Sequence, residues 1–291
     1  MNRDTFWRRL TDRVQRSRQR ADWKAFAGVD WLERIMAQPV TDRFHAKQGR
    51  STGRLILHAD GRQLAVYLKR HYRLDWWRGL LATIWPGRAW SPASQEWNHL
   101  EWARGQGLPV PPAVAVGEYI GPWGRLQSCL AVEELTGMLP LNEAVPEVAK
   151  RLTAVEFLRW KRGLVSEIAR LARELHNRRW FHKDLYLCHY YIPADAGGAW
   201  RGKVHLIDLH RLRHHPWSWP IWQVKDLAQL AYSSEIPGVT ARDRLWFWRC
   251  YLGAGRHRRA GRWLRAGVLL KWGRYRNHHL KKRQRIEGNV T

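Results

Sequence analysis

The chain has 291 residues, 45% of them hydrophobic, and a formal net charge of +26 at pH 7 from 51 Lys and Arg against 25 Asp and Glu. That length can bury one large core or two lobes sharing a cleft, and the hydrophobic content excludes an intrinsically disordered chain. No apolar run approaches the ~20 residues that cross a bilayer. The first residues lack the apolar core of a secretory signal, so the expected location is the cytoplasm. Cys129, Cys188 and Cys250 are too few and too widely spaced for a disulfide framework or a CxxC site, and each is expected to be a buried, inert thiol. The charge calls for polyanionic surroundings: nucleic acid, anionic lipid or a phosphorylated glycan. Twenty tryptophans add a second signal, since Trp beside Arg suits a membrane–water interface.

Phe6, Trp7, Leu10 and Val14 recur at helical spacing among arginines, which predicts a basic amphipathic helix within an N-terminal extension over residues 1–40. Such a helix docks on its own domain or on a membrane. Residues 41–136 read as a β-rich lobe. In RLILHADGRQLAVYLKRH the Asp60-Gly61 turn separates Leu55, Ile56 and Leu57 from alternating Leu64, Val66 and Leu68, a hairpin pattern with Lys69 near the end of its second strand. Ser91 as N-cap and Pro92 at the first helical position open a helix with Ala93, Trp97 and Leu100 on one face, which Gly105, Gly107 and Pro109 stop. Two β-like runs follow, the second ending in Glu133 and Leu135 before a break at Gly137 to Pro140 that marks the lobe boundary. Residues 137–291 are mostly helical. Leu164, Ile168, Leu171 and Leu175 mark a long helix that runs into WFHKDLYLCHYYI, followed by the apolar segment KVHLIDLH, two further helices and a basic tail.

The order is strand lysine, helix glutamate, break, long helix, His-x-Asp loop, and an apolar strand ending in Asp. That is the plan of protein-kinase-like enzymes, in which the protein positions ATP and neutralises charge. Lys69 can reach the α and β phosphates if a helix carboxylate holds its ammonium. Glu96 and Glu101 both flank the apolar face of their helix, so periodicity leaves that partner open. Asp184 follows a hydrophobic helix and a tight turn, where a carboxylate can orient or accept the proton of an attacking hydroxyl. His189 stands five residues later, at the second metal position, and Asp208 ends its strand where a carboxylate chelates the Mg²⁺ that bridges the phosphates. Gly49 and Gly53 belong to a degenerate glycine-rich loop, which reads equally as a plain hairpin turn. Asp226 is expected to brace the catalytic loop from a buried helix. His210, His214 and His215 have no zinc-ligand spacing and read as a solvated cluster.

FHKDLYLCHYYI, HLIDLHRLR and KDLAQL, with QEW upstream, resemble the lipopolysaccharide core kinases of the WaaP/InaA type, over about residues 53–251. Cys188-His189 at the close of the loop and Leu209-His210 after the metal aspartate are traits of that family rather than of kinases at large. The resemblance implies an α+β, bilobal protein-kinase-like fold with a small β-rich N-lobe and a larger helical C-lobe. It implies Lys69 for the phosphates with Glu96 as its partner, Asp184 as base with Lys183 at the arginine position beside it, and Asp208 as the Mg²⁺ ligand, with His189 at the second metal position. Glu133 and Leu135 join Gly49, Gly53 and Lys69 as nucleotide-binding residues. Lys183 keeps a positive charge but loses the bidentate fork, and His189 offers hard Mg²⁺ a nitrogen in place of an oxygen.

The expected activity is therefore ATP- and Mg²⁺-dependent phosphorylation of a heptose or 3-deoxy-manno-octulosonate of the inner core. Its partners are ATP, the anionic core acceptor and, peripherally, the cytoplasmic face of the inner membrane. The sequence gives no sign of a protein partner. Two rivals stand beside this reading: a kinase for another acceptor, protein or small molecule, and a weakly catalytic, kinase-shaped binder of nucleic acid or lipid.

Overall fold

The computed structural model describes residues 5–38, 44–45, 49–195, 200–253 and 259–287. The chain divides into two compact units, Met1–Thr136 and Gly137–Thr291.

In the first unit the described elements are α1 (Phe6–Thr11), β1 (Val14–Gln19), α2 (Trp23–Ala27), α3 (Trp31–Ala37), β2 (Phe44–His45), β3 (Arg50–Ala59), β4 (Arg62–His71), α4 (Trp76–Ile84), α5 (Pro92–Gly105), β5 (Ala113–Ile120) and β6 (Leu126–Glu133). The strands form one sheet in the order β1-β5-β6-β4-β3-β2, with antiparallel neighbours throughout. The expected hairpin is β3–β4: Asp60 and Gly61 take φ of 49° and 70°, the left-handed pair that a two-residue turn needs to match strand twist. Leu64, Val66 and Leu68 alternate into the core, each contributing about 1.5–3 kcal/mol from burial. Above them lie Trp23 and Trp31, fully buried and packed edge to face at 5.6 Å.

Residues 5–37 are thus built into the sheet and its core rather than appended to them. Of the helix expected through Val14, only Phe6–Thr11 forms, and Val14 instead opens β1 against Ile120 of β5. A strand that alternates arginine with small polar residues carries little apolar periodicity, so its pairing partner decides its structure.

The second unit contains β7 (Met138–Pro140), α6 (Leu141–Arg151), α7 (Ala154–Asn177), β8 (Trp180–Phe181), β9 (Tyr190–Pro193), β10 (His205–Leu206), β11 (Arg213–His214), α8 (Trp219–Ser233), α9 (Ala241–Leu252) and α10 (Arg259–Glu287). Its strands are short, in sheets ordered β10-β9-β7 and β11-β8. A reciprocal cap, Thr153 with Glu156, starts α7, and Leu164, Ile168, Leu171 and Leu175 bury one face of it. A second such cap, Thr240 with Asp243, starts α9. Lys161 of α7 reaches that cap and donates to Asp243 Oδ2 at 2.7 Å and to the Gly238 carbonyl at 2.9 Å. The three thiols differ from one another: Cys129 is buried, Cys250 partly so, and Cys188 is exposed, contrary to the expectation for it.

Candidate active site

Within the first unit, β4 carries Lys69 between Thr52 of β3 and Leu130 of β6, which fixes its backbone on both sides. Its Nζ donates to Glu96 Oε1 at 2.6 Å. Ser91 caps α5 by accepting from the Ser94 N–H at 3.0 Å, and the helix so started buries Glu96 while leaving Glu101 exposed. Helix packing thereby makes the choice that periodicity leaves open.

In the second unit, the loop after β8 hangs from α8. Asp226, fully buried, accepts from the N–H groups of His182 and Lys183, both at 2.8 Å. Gln229 accepts from the Leu185 N–H at 3.2 Å and donates to the Lys183 carbonyl at 3.1 Å, and Ser233 Oγ accepts from the Leu187 N–H at 2.8 Å. Positions 226, 229 and 233 share one face of α8. This scaffold holds Lys183 at φ 69°, a left-handed conformation that a non-glycine residue adopts only under such constraint. The loop then presents the Asp184 carboxylate, which Arg211 grips through Nη1 at 3.0 Å from each oxygen.

His189 and His182 stack at 5.5 Å. Burial holds His182 below the ordinary histidine value against the pull of Asp226, and its Nε2–H donates to the Ile207 carbonyl at 3.0 Å. For His189, burial lowers the pKa, but contacts with Cys188, the Asp184 carbonyl and Asp208 carry it above the ordinary value. Its Nδ1–H donates to the Asp184 carbonyl at 2.7 Å, which turns Nε2 toward Asp208 Oδ2, 3.9 Å away. Asp208 sits at φ 60°, ψ 53°, and its Oδ1 accepts from His210 Nδ1 at 2.9 Å. Among the described residues, no set of three or more His, Cys, Asp and Glu gathers as a metal cage. A Mg²⁺ held chiefly by nucleotide phosphates needs only one or two protein oxygens, and the Asp208 carboxylate meets that need.

The family model described as the lipopolysaccharide kinase (Kdo/WaaP) family matches residues 40–251. The chain belongs to that family. As a Kdo/WaaP kinase it is 31% identical over 208 residues to the lipopolysaccharide core heptose(I) kinase WaaP of Pseudomonas aeruginosa, covering 70% of this chain and 74% of that one. It is 32% identical over 164 residues to the protein of the same name from Escherichia coli, covering 56% and 60%. A solved structure, WaaP in complex with acyl carrier protein, aligns with a TM-score of 0.64 at 26% identity over 88% of this chain and 99% of that chain. The resemblance and the kinase-like fold expected from the sequence are both borne out.

Several residues of this Kdo/WaaP kinase sit differently from expectation. Lys183 was to supply charge beside the base; its Nζ lies instead 4.1 Å from the centroid of the Trp222 ring, and burial with the nearby Lys225, Arg211 and Arg213 lowers its pKa. Arg211 contacts Asp184 in its place. Its letter stands in HLIDLHRLR, but sequence does not say which carboxylate a flexible guanidinium meets. His210 is no solvated residue, being bonded to Asp208, while His215 stacks on Trp222 at 4.6 Å. Gly49 turns at φ 54° ahead of β3, residues 46–48 of the glycine-rich stretch lie outside the described residues, and Gly53 lies within β3 opposite Leu68. The Glu133 carboxylate is paired with Arg20, and Leu135 follows β6 in the connection to the second unit.

Proposed function

We propose that the protein transfers the γ-phosphoryl group of ATP to a hydroxyl of a lipopolysaccharide core sugar, a heptose on the pattern of the relatives' names. The observation that carries this is the pair of preorganised carboxylate arrangements in a chain of this family: Glu96 on the Lys69 ammonium, and Asp184 held on a loop braced by Asp226. Lys69 would neutralise the α and β phosphates, with Glu96 fixing its reach. Gly49 and Gly53 would let backbone approach the nucleotide, and the backbone around Glu133 and Leu135 would meet its base. Asp208 would hold Mg²⁺, with His189 Nε2 facing it as a second donor. When bound, Mg²⁺ would supply charge neutralisation on the nucleotide phosphates. Asp184 would orient the acceptor hydroxyl and take its proton, a contribution of order 10²–10⁴ in rate. The stretch 41–136, with residues 5–37 packed into its sheet and core, would act as the nucleotide lobe, and 137–291 as the acceptor lobe.

Purified protein with ATP, Mg²⁺ and heptose-bearing core oligosaccharides is expected to yield phosphorylated glycan by mass and phosphorus spectroscopy. Phosphate on no glycan, alongside phosphate on a protein or small molecule, would move the acceptor elsewhere.

A lipid-bearing acceptor and a charge of +26 also support a peripheral membrane contact; no described helix is long and apolar enough to cross a membrane. The sequence offers no protein partner, but the WaaP–acyl carrier protein complex makes a carrier protein one to propose. In support, an apolar cavity in the second unit, lined by Leu164, Ile168, Leu187, Leu227, Phe247 and Trp272, would suit an acyl chain.

A further inference from the structure

Helix α4 is apolar on the side that faces away from the protein. Gly79, Ala82 and Thr83 are buried, and a Cβ at Gly79 would lie 1.6 Å from the Gly124 carbonyl oxygen, so that side is seated hard on the 121–125 loop. Trp76, Trp77, Leu80 and Ile84, at helical spacing on the other side, are all exposed. A soluble monomer normally covers such a face with polar residues.

Neighbouring segments extend the patch. Helix α1 is tied to α4 by buried Arg9, whose Nε donates to the Thr83 carbonyl at 2.8 Å, and it carries exposed Phe6 and Trp7. The Trp123 N–H donates to the Leu10 carbonyl at 2.9 Å, which fixes a further exposed indole beside α1. Trp7, Trp76 and Trp123 are 70%, 73% and 75% exposed. Tryptophan at three points on joined segments is the side chain that partitions best at the level of lipid headgroups. Nine residues of helix span about 13 Å, too short to cross a bilayer but long enough to lie in its surface.

The charge around the patch selects the kind of lipid. Within α1 and α4, Arg8 pairs with Asp12, Arg78 pairs with Asp75 and Arg9 is buried, so the excess positive charge lies beside these helices rather than in them. One residue beyond exposed Trp85 begins a polar pocket walled by Arg16, Arg18 and Arg88, with Ser94 and Asn98 inside it. Its single acid, Glu118, accepts from Ser91 Oγ, and Arg16 donates to the Pro86 carbonyl and so ties the pocket to the end of α4. Three guanidinium groups against one carboxylate make a recess for an anionic headgroup.

We propose that α4, with α1 and Trp123, is the surface by which this protein lies on an anionic phospholipid bilayer, its indoles entering the headgroup layer while Arg16, Arg18 and Arg88 receive a lipid phosphate. This rests on the peripheral contact proposed above and assigns it to this face rather than to the basic helix α10.

The test is flotation with vesicles of phosphatidylglycerol and phosphatidylethanolamine, against vesicles of phosphatidylcholine alone. The unaltered protein is expected to float with the anionic vesicles and far less with the neutral ones. Trp76→Ser/Trp77→Ser/Trp123→Ser is expected to lower anionic partitioning at least ~10-fold, with the melting temperature and phosphate transfer to a soluble oligosaccharide unchanged. Arg18→Glu/Arg88→Glu is expected to abolish the preference for anionic lipid and flatten the salt dependence. If the unaltered protein ignores both vesicle types, the peripheral reading itself fails. If it floats and the tryptophan variant floats equally, that reading stands and this surface is wrong. If the tryptophan variant changes the mass in light scattering instead of lipid binding, the patch joins two copies of the chain and the proposal is overturned.

Discussion

Arg211 Nη1 lies 3.0 Å from both carboxylate oxygens of Asp184. One donor nitrogen equidistant from two acceptors centres the carboxylate, and the loop below it is fixed by α8. Asp184→Asn should reduce phosphate transfer by about 10²–10⁴-fold, with the melting temperature within a few degrees of the parent. Arg211 is half exposed, so Arg211→Ala should leave stability nearly untouched while lowering kcat by about 10–100-fold. Steady-state kinetics beside a thermal melt separates these outcomes, and normal turnover in Asp184→Asn would remove it from the reaction.

Asp226 bears on Asp184 through the loop, at the His182 and Lys183 N–H groups. Asp226→Ala strands the N–H groups of His182 and Lys183 in a buried site, at about 1–3 kcal/mol each. The variant should therefore lose both stability and kcat, with KM for ATP little changed. Urea titration and a kcat–KM separation check this; loss of stability with kcat intact would make Asp226 a packing residue alone.

Removal of divalent metal with a chelator should abolish transfer, and Asp208→Asn should do the same in saturating Mg²⁺. His189 provides the finer comparison. Its Nε2 is turned toward Asp208 by the hydrogen bond at Nδ1, and an imidazole favours Mn²⁺ over Mg²⁺ more than an amide oxygen does. His189→Asn should lower the ratio of kcat/KM in Mn²⁺ to that in Mg²⁺ several-fold. An unchanged ratio would mean that His189 does not touch the metal.

Lys161 and Asp243 form a pair whose side chains are each 8% exposed. Burial pushes the Asp243 carboxyl up, but the Lys161 ammonium and the Thr240 N–H and hydroxyl hold it below the ordinary carboxylate value. The unfolded chain therefore takes up a proton that the folded one refuses. The stabilisation is complete above the unfolded value of about 3.9 and is lost as pH falls through the folded value. Lys161→Met should cost about 3–5 kcal/mol at pH 7, because it leaves a buried carboxylate uncompensated. Chemical denaturation at pH 7 and pH 3 reads both effects, with a smaller difference between parent and variant at the lower pH.

Where a residue's role depends on its own backbone and spacing, the sequence carries it. The β3–β4 hairpin follows from Asp60-Gly61, α5 from Ser91 and Pro92, and the loop brace from Asp226. The full brace was readable in outline, since Asp226, Gln229 and Ser233 fall on one helical face as a polar stripe within an apolar helix. What stayed hidden are pairings made by long side chains across distant segments: Arg211 on Asp184, Arg20 on Glu133 and Lys183 on Trp222. A guanidinium or ammonium reaches several neighbours at similar cost, so its partner is set by tertiary packing. Strand β1 failed for a related reason, because pairing with β5 overrode a weak local helical signal.

Asp226 follows Lys183 by 43 residues, and its carboxylate supplies the acceptor that lets Lys183 rest in its left-handed conformation. On a ribosome, the segment carrying Asp184 leaves the exit tunnel well before α8 does, with no partner yet made for its amides. Until α8 emerges and docks, a nascent chain displays Asp184 without its geometry. The braced geometry of this loop thus arrives late in synthesis, with α8 rather than with the loop itself.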